Sequence, residues 1–112
     1  VLAFSAAAHA QELLRLKEFS DGTLYVHTRQ LELNPQPRAW AVVDYKAPRD
    51  GVRSARLLVR LDCRAQRVEV HETTLFQGAK ATGRALQENG YAGWIDAAPG
   101  TAFDAMLTGL CR

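Results

Sequence analysis

The chain has 112 residues, a formal net charge of +2 and an ordinary globular composition, 47% hydrophobic and 23% charged. That length predicts one domain, large enough to bury its own core. The charge is too small to imply nucleic acid by itself, and no apolar run approaches the roughly 20 residues of a membrane-spanning helix.

Residues 1–10 read VLAFSAAAHA, a short apolar run with small residues at Ala8 and Ala10. Signal peptidase needs small side chains at those two places before its cut. The stretch reads as the C-terminal part of a cleaved signal peptide, and the alternative is an Ala-rich first helix. Residues 11–112 then form the single mature domain, and His9 belongs to the discarded piece. No cysteine follows the cut to carry acyl chains. The mature protein is therefore expected to be soluble, in a periplasm or outside the cell.

Leu13 to Phe19 alternates poorly but is followed by Ser20-Asp21-Gly22, a turn signal, so it is expected to be a short strand. Thr23 to His27 is β-branched and aromatic and completes a first hairpin. Asn34-Pro35-Gln36-Pro37 lies in a connection, because proline has no N–H for a sheet ladder. Arg38 to Tyr45 is a third strand with two mostly apolar faces, which suits a central strand covered on both sides. Pro48-Arg49-Asp50-Gly51 is a turn. Ser54 to Asp62 is a fourth strand, with Leu57, Val59 and Leu61 on one face against Arg56, Leu58, Arg60 and Asp62. After a tight turn at Ala65-Gln66, a fifth strand runs from Val68 to about Phe76. Gly78 to Gly93 is Gly- and Ala-rich; a sixth short strand is expected near residues 82–86, then a loop through Asn89-Gly90 that Trp94-Ile95 docks onto the core. Thr101 is an expected helix N-cap, with Asp104 at N3 and Phe103, Met106, Leu107 and Leu110 as the apolar stripe. The fold class is α+β: an antiparallel meander sheet of about six strands with one C-terminal α-helix packed on it.

The two cysteines, Cys63 and Cys111, form no CxxC and have no histidine at ligand spacing, which argues against zinc. In an exported protein they read as one disulfide pinning the helix to a strand end; the alternative is two buried thiols. Asp44 and Asp62 read as strand-end carboxylates in hydrogen-bonded turns. His27 and His71 lie on different strands, and two histidines without a third ligand do not make a metal site. Ser5, Ser20 and Ser54 lack a nucleophile-elbow context. The Gly78–Gly83 stretch lacks the order of a phosphate loop. No enzyme activity, cofactor or metal is expected. Trp40 and Trp94 either pack the core or line a ligand pocket.

The one biased feature is positive charge. Lys46, Arg49, Arg53, Arg56, Arg60, Arg64 and Arg67 crowd the central hairpin, opposed only by Asp50 and Asp62. Lys46, Arg49, Arg53, Arg56 and Arg60 are the candidate partner-binding residues. They suit an anionic partner such as an acidic protein segment, a sulfated glycan or a lipid headgroup; the other reading is a solvated sheet face with arginine stems over apolar neighbours. Aromatics are not interleaved with these residues in sequence, which argues against single-stranded nucleic acid.

Several stretches, taken in order, carry a family resemblance. They are Gly22-Thr23-Leu24-Tyr25, Trp40 through Asp44-Tyr45-Lys46-Ala47-Pro48, Ser54-Ala55-Arg56-Leu57 and the acidic-Cys pair Asp62-Cys63. Arg67, Thr73-Thr74, Thr82-Gly83, Trp94, Ala98-Pro99-Gly100-Thr101 and Leu110-Cys111 follow. With this order and both cysteines, the chain resembles the bacterial surface-adhesin protein E family. The resemblance implies an antiparallel sheet with a C-terminal helix pinned by a disulfide. It also implies an adhesive, non-enzymatic role toward host extracellular-matrix and serum proteins. The expected function is thus an exported binding protein for a host or envelope protein partner. The alternative is a soluble periplasmic accessory or small-ligand module sharing only the fold. An edge strand of such a sheet is also where a homodimer would form.

Overall fold

A computed structural model describes residues 12–111; the expected signal remnant at residues 1–10 lies outside them. The elements are β1 (Leu13–Phe19), β2 (Gly22–His27), β3 (Arg38–Arg49), β4 (Val52–Asp62), β5 (Arg67–Phe76), β6 (Ala85–Asn89), β7 (Gly93–Asp96) and one helix, α1 (Ala102–Leu110). All strand pairs are antiparallel, in the order β1-β2-β3-β4-β5-β6, with β7 also on β5. The expected meander and terminal helix are present, with one strand more than expected.

The cross-strand rows define the two faces. Leu24, Val43, Ala55 and Leu75 form one row; Val26, Ala41 and Leu57 a second; Ala39, Val59 and Val70 a third; Leu61, Val68 and Ile95 a fourth. All belong to or pack on the core cluster, which Ala105, Met106, Leu107 and Leu110 complete from the helix. The helix lies against β1, β2 and β5. Thr101 caps it by accepting the Asp104 N–H at 3.3 Å, and the Asp104 carboxylate accepts the Gly100 N–H at 3.2 Å. Cys111 ends it and is bonded to Cys63 at the end of β4, with the two Cα atoms 5.6 Å apart.

Register shifts and an interrupted edge strand separate the structure from a plain meander. The β1–β2 register shifts between Arg15 and Lys17, so Leu16 is an extra residue, and it packs on the core. That bulge is why the sequence alternates poorly there. The β3–β4 register shifts between Asp44 and Arg49, so residues 45–48 face Arg53 alone. β3 therefore runs through Pro48 to Arg49, and the turn is only Asp50-Gly51, both at positive φ (53° and 80°). Two residues of that conformation match the twist of a tight hairpin. The β4–β5 register shifts at His71. Finally, β6 and β7 run in line along the same edge of β5, on Thr73–Phe76 and Arg67–Val70 respectively. They are one strand interrupted at residues 90–92, opposite the His71 bulge. The expected strand at 82–86 thus starts at Ala85 and includes Asn89, and Trp94-Ile95 pairs with β5 instead of docking as a loop.

Candidate functional site

The face turned away from the helix carries the unusual chemistry. Val42 pairs with Tyr25 and Arg56, and Arg56 with Thr74; Arg60 pairs with Arg38 and Glu69, and Glu69 with Trp94. Val42 and Phe76 are buried yet stand apart from the core cluster. Among the described residues no second layer covers this face, contrary to the sequence expectation for β3. Arginine stems and rings cover it instead. The Arg56 guanidinium lies 5.4 Å from the Trp40 ring centroid and 5.3 Å from that of Phe76. Arg60 and Arg67 lie 5.6 and 4.4 Å from Trp94, and the Lys80 ammonium 5.1 Å from Tyr25. Neither tryptophan belongs to the core cluster. Aromatics and cations that are separate in sequence therefore alternate in space, because the rings come from β2, β3, β5 and β7.

Charge pairing decides which of these cations is available. Glu69, 6% exposed, takes Arg60 Nε and Nη2 on Oε1 at 2.9 and 2.8 Å. His71 Nε2 lies 3.0 Å from the same oxygen, and the Tyr91 hydroxyl donates to Oε2 at 2.6 Å. Arg67 faces Asp62 at 3.8 Å, and Asp62 also accepts the Ala65 N–H at 3.0 Å. Arg56 has no carboxylate partner among the described residues, and its Nε is buried without an acceptor.

The bond from Tyr91 is the largest influence holding the Glu69 carboxyl below the ordinary glutamate range; burial opposes it, and His71 and Arg60 reinforce it. The same bond pushes the Tyr91 hydroxyl up. A depressed folded pKa means the contribution is complete above the unfolded glutamate value, about 4.3, and is lost as pH falls through the lower folded value. Tyr91→Phe is therefore expected to raise the Glu69 pKa, read by NMR from its side-chain carboxyl against pH. A titration identical to that of the wild type would remove Tyr91 from this account.

Two depressions adjoin Trp40. One, of about 460 Å³, is lined by Trp40, Arg56, His27, Gln30, Arg29 and Glu12. The other, of about 360 Å³, has Trp40, Gln30, Glu32, Arg38 and Leu58 around it. His27 is held neutral at pH 7, its pKa lowered first by burial and then by Arg56. His27 and His71 thus have separate neighbours, one beside Arg56 and the other on Glu69. Among the described residues no three potential metal ligands cluster.

The candidate basic residues fall in two places. Arg56 and Arg60 lie on the helix-free face. Lys46 and Arg49 line a third cleft, of about 360 Å³, at the hairpin end with Ser20, Asp21, Tyr45 and Asp50. Burial there pushes the Tyr45 hydroxyl up. Arg53, in the same end of the hairpin, is exposed. Asp44, on the helix-free face, accepts the Lys80 N–H at 3.0 Å, so its partner is a distant loop and not its own turn. Buried Ser54 holds the same loop: its hydroxyl donates to Gly78 O at 2.5 Å and accepts the Ala81 N–H at 2.8 Å. The sequence reading missed Glu69 and Tyr91. A signal for Glu69 was present: the four-residue connection Cys63–Gln66 sets it opposite Arg60.

Taken together, fold and surface define a domain built on one antiparallel sheet, with charged side chains displayed on one face and at one hairpin end. The chain belongs to the surface-adhesin protein E family, whose model matches residues 13–112. Comparison with curated proteins and with solved structures yields no match. The family description points to an adhesive, non-enzymatic role at the cell surface or outside the cell.

Proposed function

We propose that this is an exported adhesive domain that holds a host or envelope protein partner through the end of its central hairpin. The observation that carries the reading is the cationic hairpin end: Lys46, Arg49 and Arg53 are exposed and form no ion pair among the described residues. Unpaired rim charge of this kind speeds encounter with an acidic surface more than it deepens the final complex.

Protease shaving of intact cells, with a periplasmic protein as control, tests the location. Cleavage of this protein alone supports surface display, and survival of both moves it to the periplasm. For the partner, binding to matrix and serum proteins is measured with Lys46→Glu, Arg49→Glu and Arg53→Glu combined. The association rate is expected to fall by about tenfold or more at low salt. An unchanged rate would remove the hairpin end from the mechanism. A second reading, a periplasmic small-ligand module, is favoured by the depressions beside Trp40.

A further inference from the structure

We propose that the groove over Trp40 on the helix-free face binds a carboxylated sugar, with the Arg56 guanidinium taking the carboxylate and the Trp40 indole the face of the ring. The inference rests on the groove itself and does not require the protein-adhesion reading.

Trp40 and Gln30 line both depressions, so the two adjoin at the indole and are taken together as the groove. Each half, at about 460 and 360 Å³, is of the size that holds a small ligand. The walls come from β2, β3 and β4 on the sheet side and from the connection between β2 and β3, which supplies Arg29, Gln30 and Glu32. That connection is tied back to the sheet through mutual backbone hydrogen bonds between Glu32 and Arg38, at 3.0 and 2.7 Å.

Charge selects the class of ligand. Four cations stack on rings across this face, but Arg60 is held by Glu69 and Arg67 faces Asp62. Within the groove, Arg29 is held by Glu12 at 2.7 Å. Arg38 and Arg56 both line the groove without an ion pair among the described residues; Arg38 is exposed, whereas the Arg56 Nε is sealed beside Trp40 and Phe76 without an acceptor. The two rings confine the guanidinium, and its outer N–H groups are left to meet a carboxylate as a fork. Around the groove three cations, Arg29, Arg38 and Arg56, stand against two carboxylates, Glu12 and Glu32, so one positive charge is in excess and one anionic group balances it. A sulfated chain, a phosphodiester chain or a run of acidic residues brings more negative charge than that excess balances.

What Glu12, Glu32 and the Gln30 carbonyl do accept is hydroxyl donors. A ligand with one carboxylate, several hydroxyls and a ring face of C–H groups to lie on an indole meets every feature of the groove. Sialic and uronic acids have that constitution. Neutral His27 adds a hydrogen-bonding group beside the carboxylate without a second charge.

The test is a titration of the ¹⁵N-labelled protein with N-acetylneuraminic acid, followed by NMR, with its carboxyl methyl ester and free glutamate as controls. The acid is expected to shift the Trp40 indole, Gln30 and Arg56 resonances with millimolar affinity, and the ester and glutamate to bind about tenfold more weakly or not at all. Arg56→Gln should weaken the acid by about tenfold while leaving the ester unchanged. The ester comparison needs no variant, so it decides the matter even if Arg56→Gln fails to fold. Absence of shifts at these three residues overturns the site. Equal binding of acid and ester overturns the role of Arg56, and equal binding of glutamate overturns the sugar.

Discussion

Replacing Cys63 and Cys111 together by serine is expected to lower stability by about 4 kcal/mol, with the helix the first element to loosen. The bond joins residues 48 apart in sequence, and closing a loop of that length removes about this much chain entropy from the unfolded state. The loop contains β5, β6, β7 and α1, so every element after β4 depends on it. The helix has only nine residues, too few to persist alone in water, and it is held by Met106, Leu107 and Leu110 against the sheet and by the bond at its end. Urea unfolding of the variant with and without reductant measures the effect. The wild type should fall to the level of the variant when reduced, and the variant should not respond. Equal midpoints for oxidised and reduced wild type would overturn the prediction.

Gly22→Ala is expected to cost about 3 kcal/mol, although Gly22 sits at an ordinary strand position. It opens β2 and pairs with both Phe19 and Tyr45. A Cβ there would run into the carbonyl oxygen of Asp44 on β3, which is backbone and cannot swing aside. Asp44 is also tied through its side chain to the Lys80 N–H, so relief requires the β2–β3 pairing to shift. Gly51→Ala is the internal comparison. Its added Cβ meets nothing, and only the positive φ of 80° resists, at a cost of about 1 kcal/mol. Thermal melts of the two variants should therefore separate clearly, with Gly22→Ala much the lower. If the two melt together, the close approach at Asp44 is not what requires glycine at position 22.

These two glycines mark how far the sequence could be read. Ser20-Asp21-Gly22 announces a turn, and a turn is there, but the need for glycine comes from a strand that arrives only when the sheet assembles. The first strand was legible only from the turn signal that follows it, and the next four and the helix from their own period and punctuation. The sixth was expected a few residues too early, because β6 is exposed along its whole length and no alternation marks its bounds; the seventh was not expected, because the break at residues 90–92 disguises one strand as a loop. The site was hidden by register. Counting back from the Asp50-Gly51 turn without the irregularity at residues 45–48 sets Trp40 opposite Leu61, in the core, and Arg56 opposite Tyr45. The observed partners are Leu58 and Val42. An odd shift in register exchanges the faces of a strand, and here it carries Trp40 out of the core and under Arg56.

The position of the disulfide also decides how the domain responds to tension. A pull applied at the C-terminal end passes from Cys111 directly into Cys63 and bypasses everything between. Only the segment ahead of Cys63, which holds β1 to β4, is free to pay out, to about 170 Å at the reach of an extended chain. β5, β6, β7 and α1 remain enclosed in a covalent ring that no steady force can lengthen. For a domain tethered at one end and loaded at the other, the bond is a stop that sets the maximum give, and the half of the fold that contains Glu69 and Tyr91 lies beyond it.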